Sequence, residues 1–222
     1  MKPGENSVHW RTLLLRLVVT GVVLGIWFWT QSLLGARTPP AVGGIGDALH
    51  NLTAGLNSYF AQHAAAANAL LIVSSVFIDA LGVFLLGSWL FGRSVRPFLG
   101  LVLLMLLRQF LQALCSLPVP AGMIWHDPGF PSLLVTYHVA NDFFFSGHTA
   151  IAVFGTIELA RFRRKWLTVL AAFLVLFEVS AVLTLRAHYT MDVFTGILAA
   201  LWVARISERL SPAIDRRLAG IR

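Results

Sequence analysis

Charged residues are scarce in this chain of 222: Asp, Glu, Lys and Arg together make up 12%, where a soluble domain carries roughly 25%. So little charge cannot cover a water-facing surface. With 57% hydrophobic residues and a mean hydropathy of +0.76, the chain reads as an integral membrane protein. Acid is scarcer still, 10 Asp and Glu against 17 Lys and Arg, which leaves a net charge of +7. Cysteine is limited to Cys115, so an internal disulfide is excluded and the redox compartment cannot be read from thiols. The basic residues fall mainly at the ends of apolar runs, and no nucleic acid partner is expected.

Long apolar runs are plentiful. Six of them, at 13–34, 69–91, 98–117, 146–160, 167–185 and 192–206, approach the roughly 20 residues that cross a hydrocarbon core, and they predict an all-α, six-span helix bundle. The first reads as a retained span rather than a cleaved signal, because it exceeds the roughly 7–15 residues of a signal core and Trp27, Phe28 and Trp29 suit an aromatic belt. Lys2 and Arg11 precede span one and Arg16 lies near its start; Arg93 and Arg96 join spans two and three; Arg161, Arg163, Arg164 and Lys165 join four and five. Arg205 lies at the end of span six and four further arginines follow it, whereas the opposite side has Arg37 and Arg186. The positive-inside rule then places both termini in the cytoplasm. The chain is treated as one polytopic domain, 1–222.

Between spans one and two, Leu49, Leu52, Leu56 and Phe60 recur at helical spacing. They predict an interfacial amphipathic helix over 46–62, either a rim that guides lipid or a connector covering the bundle. Ionisable residues inside spans are costly and need partners. Asp79 in span two and Glu178 in span five are therefore read as buried structural groups or as support for a site, with Arg108 in span three as the candidate partner of Asp79. Pro118 and Pro120 stop span three at the outer surface.

Two motifs carry the chemistry. Ser146-Gly147-His148-Thr149 opens span four, with Asp142 just upstream, and His188-Tyr189-Thr190-Met191-Asp192 opens span six. In the predicted topology both openings face the outer side. Helix N-termini present free N–H groups and a partial positive charge, which favours a phosphate between them. Gly147 permits close backbone approach, and Ser146 and Thr149 suit capping or phosphate contact. The spacing of four lets the Asp192 carboxylate hold one imidazole nitrogen of His188 and leave the other to act as base or nucleophile.

These residues resemble the type 2 phosphatidic acid phosphatase (PAP2) superfamily, and more closely its sphingomyelin synthase-like branch. The resemblance runs from Arg108 through Leu117-Pro118-Val119-Pro120, the Asp142 to Thr149 stretch and His188 to Asp192, ending near Gly196. It implies metal-independent phosphotransfer without a cofactor: His188 attacks phosphorus, Asp192 orients it, and His148 protonates the leaving group. It also places Arg108, Arg186 and Tyr189 beside the phosphate. Two positions depart from the pattern. Trp89 stands where soluble phosphatases carry Lys, and Arg186 stands where sphingomyelin synthases carry another His.

The expected reaction is a double displacement through phosphohistidine, from a phospholipid donor to a lipid alcohol or to water, in a site facing the periplasm, exoplasm or lumen. A lipid acceptor makes the protein a transferase of the sphingomyelin or ceramide phosphoethanolamine synthase kind, and water makes it a lipid phosphate phosphatase. A more remote alternative is a transporter or scaffold in which Asp79, Arg108 and Glu178 form a polar path. The motifs leave the oligomeric state open.

Overall fold

The computed structural model describes residues 18, 29, 44–115, 117–135, 137 and 143–219. The chain divides into two compact units, 1–46 and 47–222. In the second unit the described residues form α1 (Ala48–Leu52), α2 (Ala54–Gln62), α3 (Ala64–Leu90), α4 (Arg96–Leu114), α5 (Gly147–Ala160), α6 (Lys165–Thr184) and α7 (Thr190–Ala219), and no strand. The expected interfacial helix is thus two short ones that meet at Thr53. Expected span one, apart from residues 18 and 29, and Asp142 lie outside the described residues.

Helices α3, α4, α6 and α7 are long and apolar enough to cross a membrane. Their outward faces are apolar: Val73, Val76 and Val83 on α3, Leu106 and Phe110 on α4, Phe173 and Leu176 on α6, Leu198 and Trp202 on α7 are all exposed. An apolar exterior of this extent suits lipid and not water. The protein is an integral membrane protein.

Helix α5 is different. Its 14 residues span about 21 Å, short of a full crossing, and ten of them are buried between α3, α4, α6 and α7. A helix that is apolar on every side must be enclosed, and α5 is the central post. Its neighbours come close through missing side chains. A Cβ on Gly100 of α4 would lie 1.9 Å from the Phe154 ring, and one on Gly196 of α7 would lie 2.7 Å from the Ser146 carbonyl oxygen.

The segment around 132–135 descends beside the middle of α3, where the Leu134 side chain occupies the space a Cβ on Gly82 would need. Irregular backbone at membrane depth survives only where its polar groups are satisfied. Asp79 satisfies them, accepting from the Ser132 hydroxyl at 2.9 Å, Leu133 N–H at 2.8 Å and Leu134 N–H at 2.9 Å. The expected partner of Asp79 was Arg108; the partners of its carboxylate are in this loop. Farther along the same connection, Tyr137 and Ser75 share a hydrogen bond.

The other end of the bundle is basic. Arg96 at the start of α4 forms a forked ion pair with Glu158 of α5, 2.6 Å at its shortest. Asp215 of α7 caps α4 by accepting from Ser94 Oγ and Val95 N–H, and Arg161 pairs with Glu208. These links bring the 91–95 and 161–164 connections and the C-terminal half of α7 to one end, opposite the motifs.

Candidate active site

The two motif histidines share one cavity of about 80 Å³, lined also by Arg108, Gly147, Trp125, Phe143 and Ile78. This volume holds several waters, enough for a phosphoryl group. Ile78 lies 14 residues along α3 from Ala64, so the cavity sits roughly 20 Å below the start of that helix, within the bundle.

His148 occupies the first turn of α5. Ser146 caps that helix: its Oγ accepts the Thr149 N–H at 3.3 Å and lies 3.0 Å from Thr149 Oγ1. Both hydroxyl residues are fully buried, so they build the helix end and are not among the residues lining the cavity. A Cβ on Gly147 would stand 3.4 Å from Arg108 Nε, an ordinary contact, so Gly147 marks how near the guanidinium lies to the start of α5. Trp125 meets the His148 ring edge-on, centroids 5.1 Å apart, and His148 Nε2 is buried with no hydrogen-bond partner among the described residues.

His188 stands in the turn before α7, two residues ahead of its first residue, and not on the helix face that the four-residue spacing suggests. Its Nδ1 lies 3.2 Å from Asp192 Oδ2, and the same oxygen accepts the Tyr189 N–H at 3.1 Å. Asp192 thus reaches back from the third helical position to the residue before the helix, the acidic half of a capping box. The Asp192 carbonyl in turn accepts the Ser146 N–H at 3.0 Å, which ties the two motifs directly. With Nδ1 engaged, Nε2 is the nitrogen of His188 left for chemistry.

Three other expected site residues are placed elsewhere. Arg186, with φ of +53°, donates to the carbonyls of Ala121 at 2.6 Å and His50 at 3.4 Å. Tyr189 donates to the Pro118 carbonyl at 3.0 Å and stacks on His50. Burial, with the nearby charges of Asp192 and Asp47, pushes its phenol above the ordinary 10, so it remains a donor. Glu178 accepts from Ser74 Oγ at 2.7 Å on α3. Arg186 and Tyr189 hold the turn to its surroundings and do not line the cavity, and Glu178 links α6 to α3. Three polar residues beside the turn, Asp47, His50 and Asn57, were read in the sequence only as part of an amphipathic helix. Asp47 carried one usable sign, an acidic residue immediately before a helix.

A family model described as AtPDCT1/2 matches residues 46–209, nearly the whole of the described helical unit. The chain belongs to the AtPDCT1/2 family. The stretch matched in this AtPDCT1/2 member begins one residue before Asp47 and contains both histidine motifs. Among its relatives is phosphatidylcholine:diacylglycerol cholinephosphotransferase 1 of Arabidopsis thaliana, 22% identical over 192 residues, which are 86% of this chain and 61% of the relative. The chain therefore spans about three fifths of that protein's length. No solved structure matches.

Proposed function

We propose that this AtPDCT1/2 member is a lipid phosphotransferase that moves a phospho-head group between glycerolipids through a phosphohistidine intermediate, with phosphatidylcholine as donor and diacylglycerol as acceptor. The carrying observation is the convergence of His148, His188 with its Asp192 partner, and Arg108 on one recessed cavity. The name of the Arabidopsis relative supports the choice of lipids, and the sequence resemblance to the PAP2 superfamily and its sphingomyelin synthase-like branch supports the same division of roles.

In the first half-reaction His188 Nε2 attacks phosphorus, the bond from phosphorus to the glycerol oxygen breaks, and His148 gives its proton to the departing diacylglycerol. Arg108, beside the α5 N-terminus, stabilises charge on the phosphoryl oxygens. In the second half-reaction His148 takes the proton of an incoming diacylglycerol hydroxyl, its oxygen attacks phosphorus, and the bond from phosphorus to nitrogen breaks, restoring His188. Asp192 holds the ring throughout. The aromatic walls, Trp125 and Phe143, keep water from the intermediate, which favours transfer over hydrolysis. In this reading the chain passes six times between the two faces, once through the short enclosed α5, both termini are cytoplasmic and the site opens to the opposite face.

The test uses purified protein in lipid nanodiscs with phosphatidylcholine labelled in the choline head group. Added diacylglycerol of distinct chain length is expected to appear as labelled phosphatidylcholine of that length. Label transferred to ceramide instead would make the acceptor a sphingoid alcohol. Released phosphocholine, or phosphate from phosphatidic acid alone, would make water the acceptor and the protein a hydrolase, and no turnover at all would overturn the reading.

A further inference from the structure

Two polar residues of α1 and α2, His50 and Asn57, face inward, while apolar residues of the pair face outward. Leu52 is 80% exposed, with Leu49, Leu56 and Tyr59 also exposed, while His50 and Asn57 are buried. In an integral membrane protein such an apolar outer face meets lipid. The bundle contacts the helix pair through hydrogen bonds, and nearly all of these end on the turn that carries His188.

Tyr189, the residue before α7, presents an aromatic ring and cannot accept from the first N–H groups of that helix. Asp47 supplies the cap from another segment: its Oδ2 accepts the Thr190 N–H at 2.6 Å and its Oδ1 the Thr190 hydroxyl at 2.6 Å. The same carboxylate caps α1 through Leu49 N–H and His50 N–H, so one side chain fixes two helix starts to each other. Partial burial works to raise the Asp47 carboxyl, but the hydrogen bonds from the Thr190 hydroxyl, Thr190 N–H and His50 N–H outweigh it and hold its pKa below the ordinary 3.8. His50 Nε2 donates to the main-chain carbonyl of His188 itself at 2.9 Å, and Asn57 Nδ2 bridges the carbonyls of Thr184 and Gly122 at 2.9 and 3.1 Å.

We infer that α1 and α2 form a clamp that sets the His188 peptide, with His50 and Asp47 as positioning residues for the nucleophile. Asp192 fixes the imidazole from inside the bundle. His50 and Asp47 fix the backbone that carries it from outside. A shift of that peptide moves Nε2 relative to the phosphorus it must reach, and misplacement by about 1 Å costs on the order of 100-fold in a positioned reaction. The inference rests on the reading of His188 as nucleophile, and its test contains a readout independent of lipid turnover.

The full chain in nanodiscs is compared with His50→Phe, which keeps a ring and removes the donor, and His50→Gln, whose side-chain N–H restores one. Loss of a single hydrogen bond is expected to lower kcat about 3- to 10-fold in His50→Phe, with KM for phosphatidylcholine unchanged and His50→Gln within about twofold of the parent. Independently, carbethoxylation by diethyl pyrocarbonate, followed by mass spectrometry, is expected to proceed at a changed rate at His188 in His50→Phe. That rate returns in His50→Gln, and the rate at His148 is unaltered in both. Asp47→Ala is expected to follow His50→Phe. If the two His50 variants match each other, or if KM changes while kcat and His188 reactivity do not, the clamp is overturned. If the reactivity pattern holds while the parent turns over no lipid, the clamp stands and the phosphotransferase reading falls.

Discussion

At the residue scale the two histidines differ in what surrounds them, and the difference underlies the roles proposed for them. His188 has one nitrogen held by Asp192 and a main chain held by His50, as a nucleophile that must present the same lone pair at each turnover requires. His148 sits at a helix start against Trp125 with Nε2 free of protein partners among the described residues, which suits a group that trades protons with substrate oxygens. His188→Ala is therefore expected to abolish turnover and any acid-labile, base-stable phosphoenzyme. His148→Ala loses a general acid, roughly a 10²- to 10⁴-fold effect, but attack survives when the leaving group needs no proton. With a p-nitrophenyl ester of phosphocholine as donor, measured by nitrophenolate release, His148→Ala should recover part of its activity and His188→Ala none; rescue in the reverse order would exchange the roles. The histidines and Asp192 were legible in the sequence because motif spacing carries them. Arg186 and Tyr189 were legible as residues near the site but not in what they do, since a positive φ at Arg186 and a bond to the Pro118 carbonyl depend on chain segments more than 60 residues away.

At the element scale the site depends on how closely α7 crosses α5. Gly196 lies one helical turn beyond Asp192, and a Cβ there would stand 2.7 Å from the Ser146 carbonyl and 3.4 Å from the Ala150 nitrogen, both backbone atoms that cannot rotate away. Gly196→Ala is expected to push the α5 N-terminus from the His188 turn. The cost in stability is of the order of overpacking, about 1–3 kcal/mol, seen as a lower Tm, and turnover falls more than the Tm shift alone accounts for. Parent-like kcat in Gly196→Ala would show that the crossing tolerates a methyl group and that the coupling of Ser146 to Asp192 is not needed for catalysis. Helix identity was readable from apolar runs, and α3, α4, α6 and α7 fall where those runs predict. The short reach of α5 was readable too, at 147–160 against an expected 146–160; the split at Thr53 and the enclosure of α5 were not, because a run of apolar residues has the same appearance in a lipid-facing span and in an enclosed post. Asp79 shows the same limit: its cost inside a span was plain, yet the loop that satisfies it, 132–134, lies more than 50 residues further along the chain.

At the scale of the whole molecule, polarity is distributed by end. The connections 91–95 and 161–164 and the last turns of α7 gather Arg93, Arg96, Arg161, Arg163, Arg164, Arg216 and Arg217 at one end, while the motif end has Arg186, bound to backbone carbonyls. Arginine and lysine in the connections resist transfer across a bilayer. The basic end is therefore expected in the cytoplasm, and the mouth of the cavity on the opposite face. The test begins from Cys115→Ala, which removes the chain's one thiol. Ala121→Cys then reports the motif end and Arg164→Cys the basic end, both at exposed positions in connections. In intact cells or sealed vesicles of native orientation, an impermeant maleimide is expected to label the residue-121 variant and to reach the residue-164 variant only after the membrane is permeabilised. Labelling in the opposite order would invert the molecule, set the His148 and His188 cavity facing the cytoplasm, and require both lipids to be drawn from the inner leaflet.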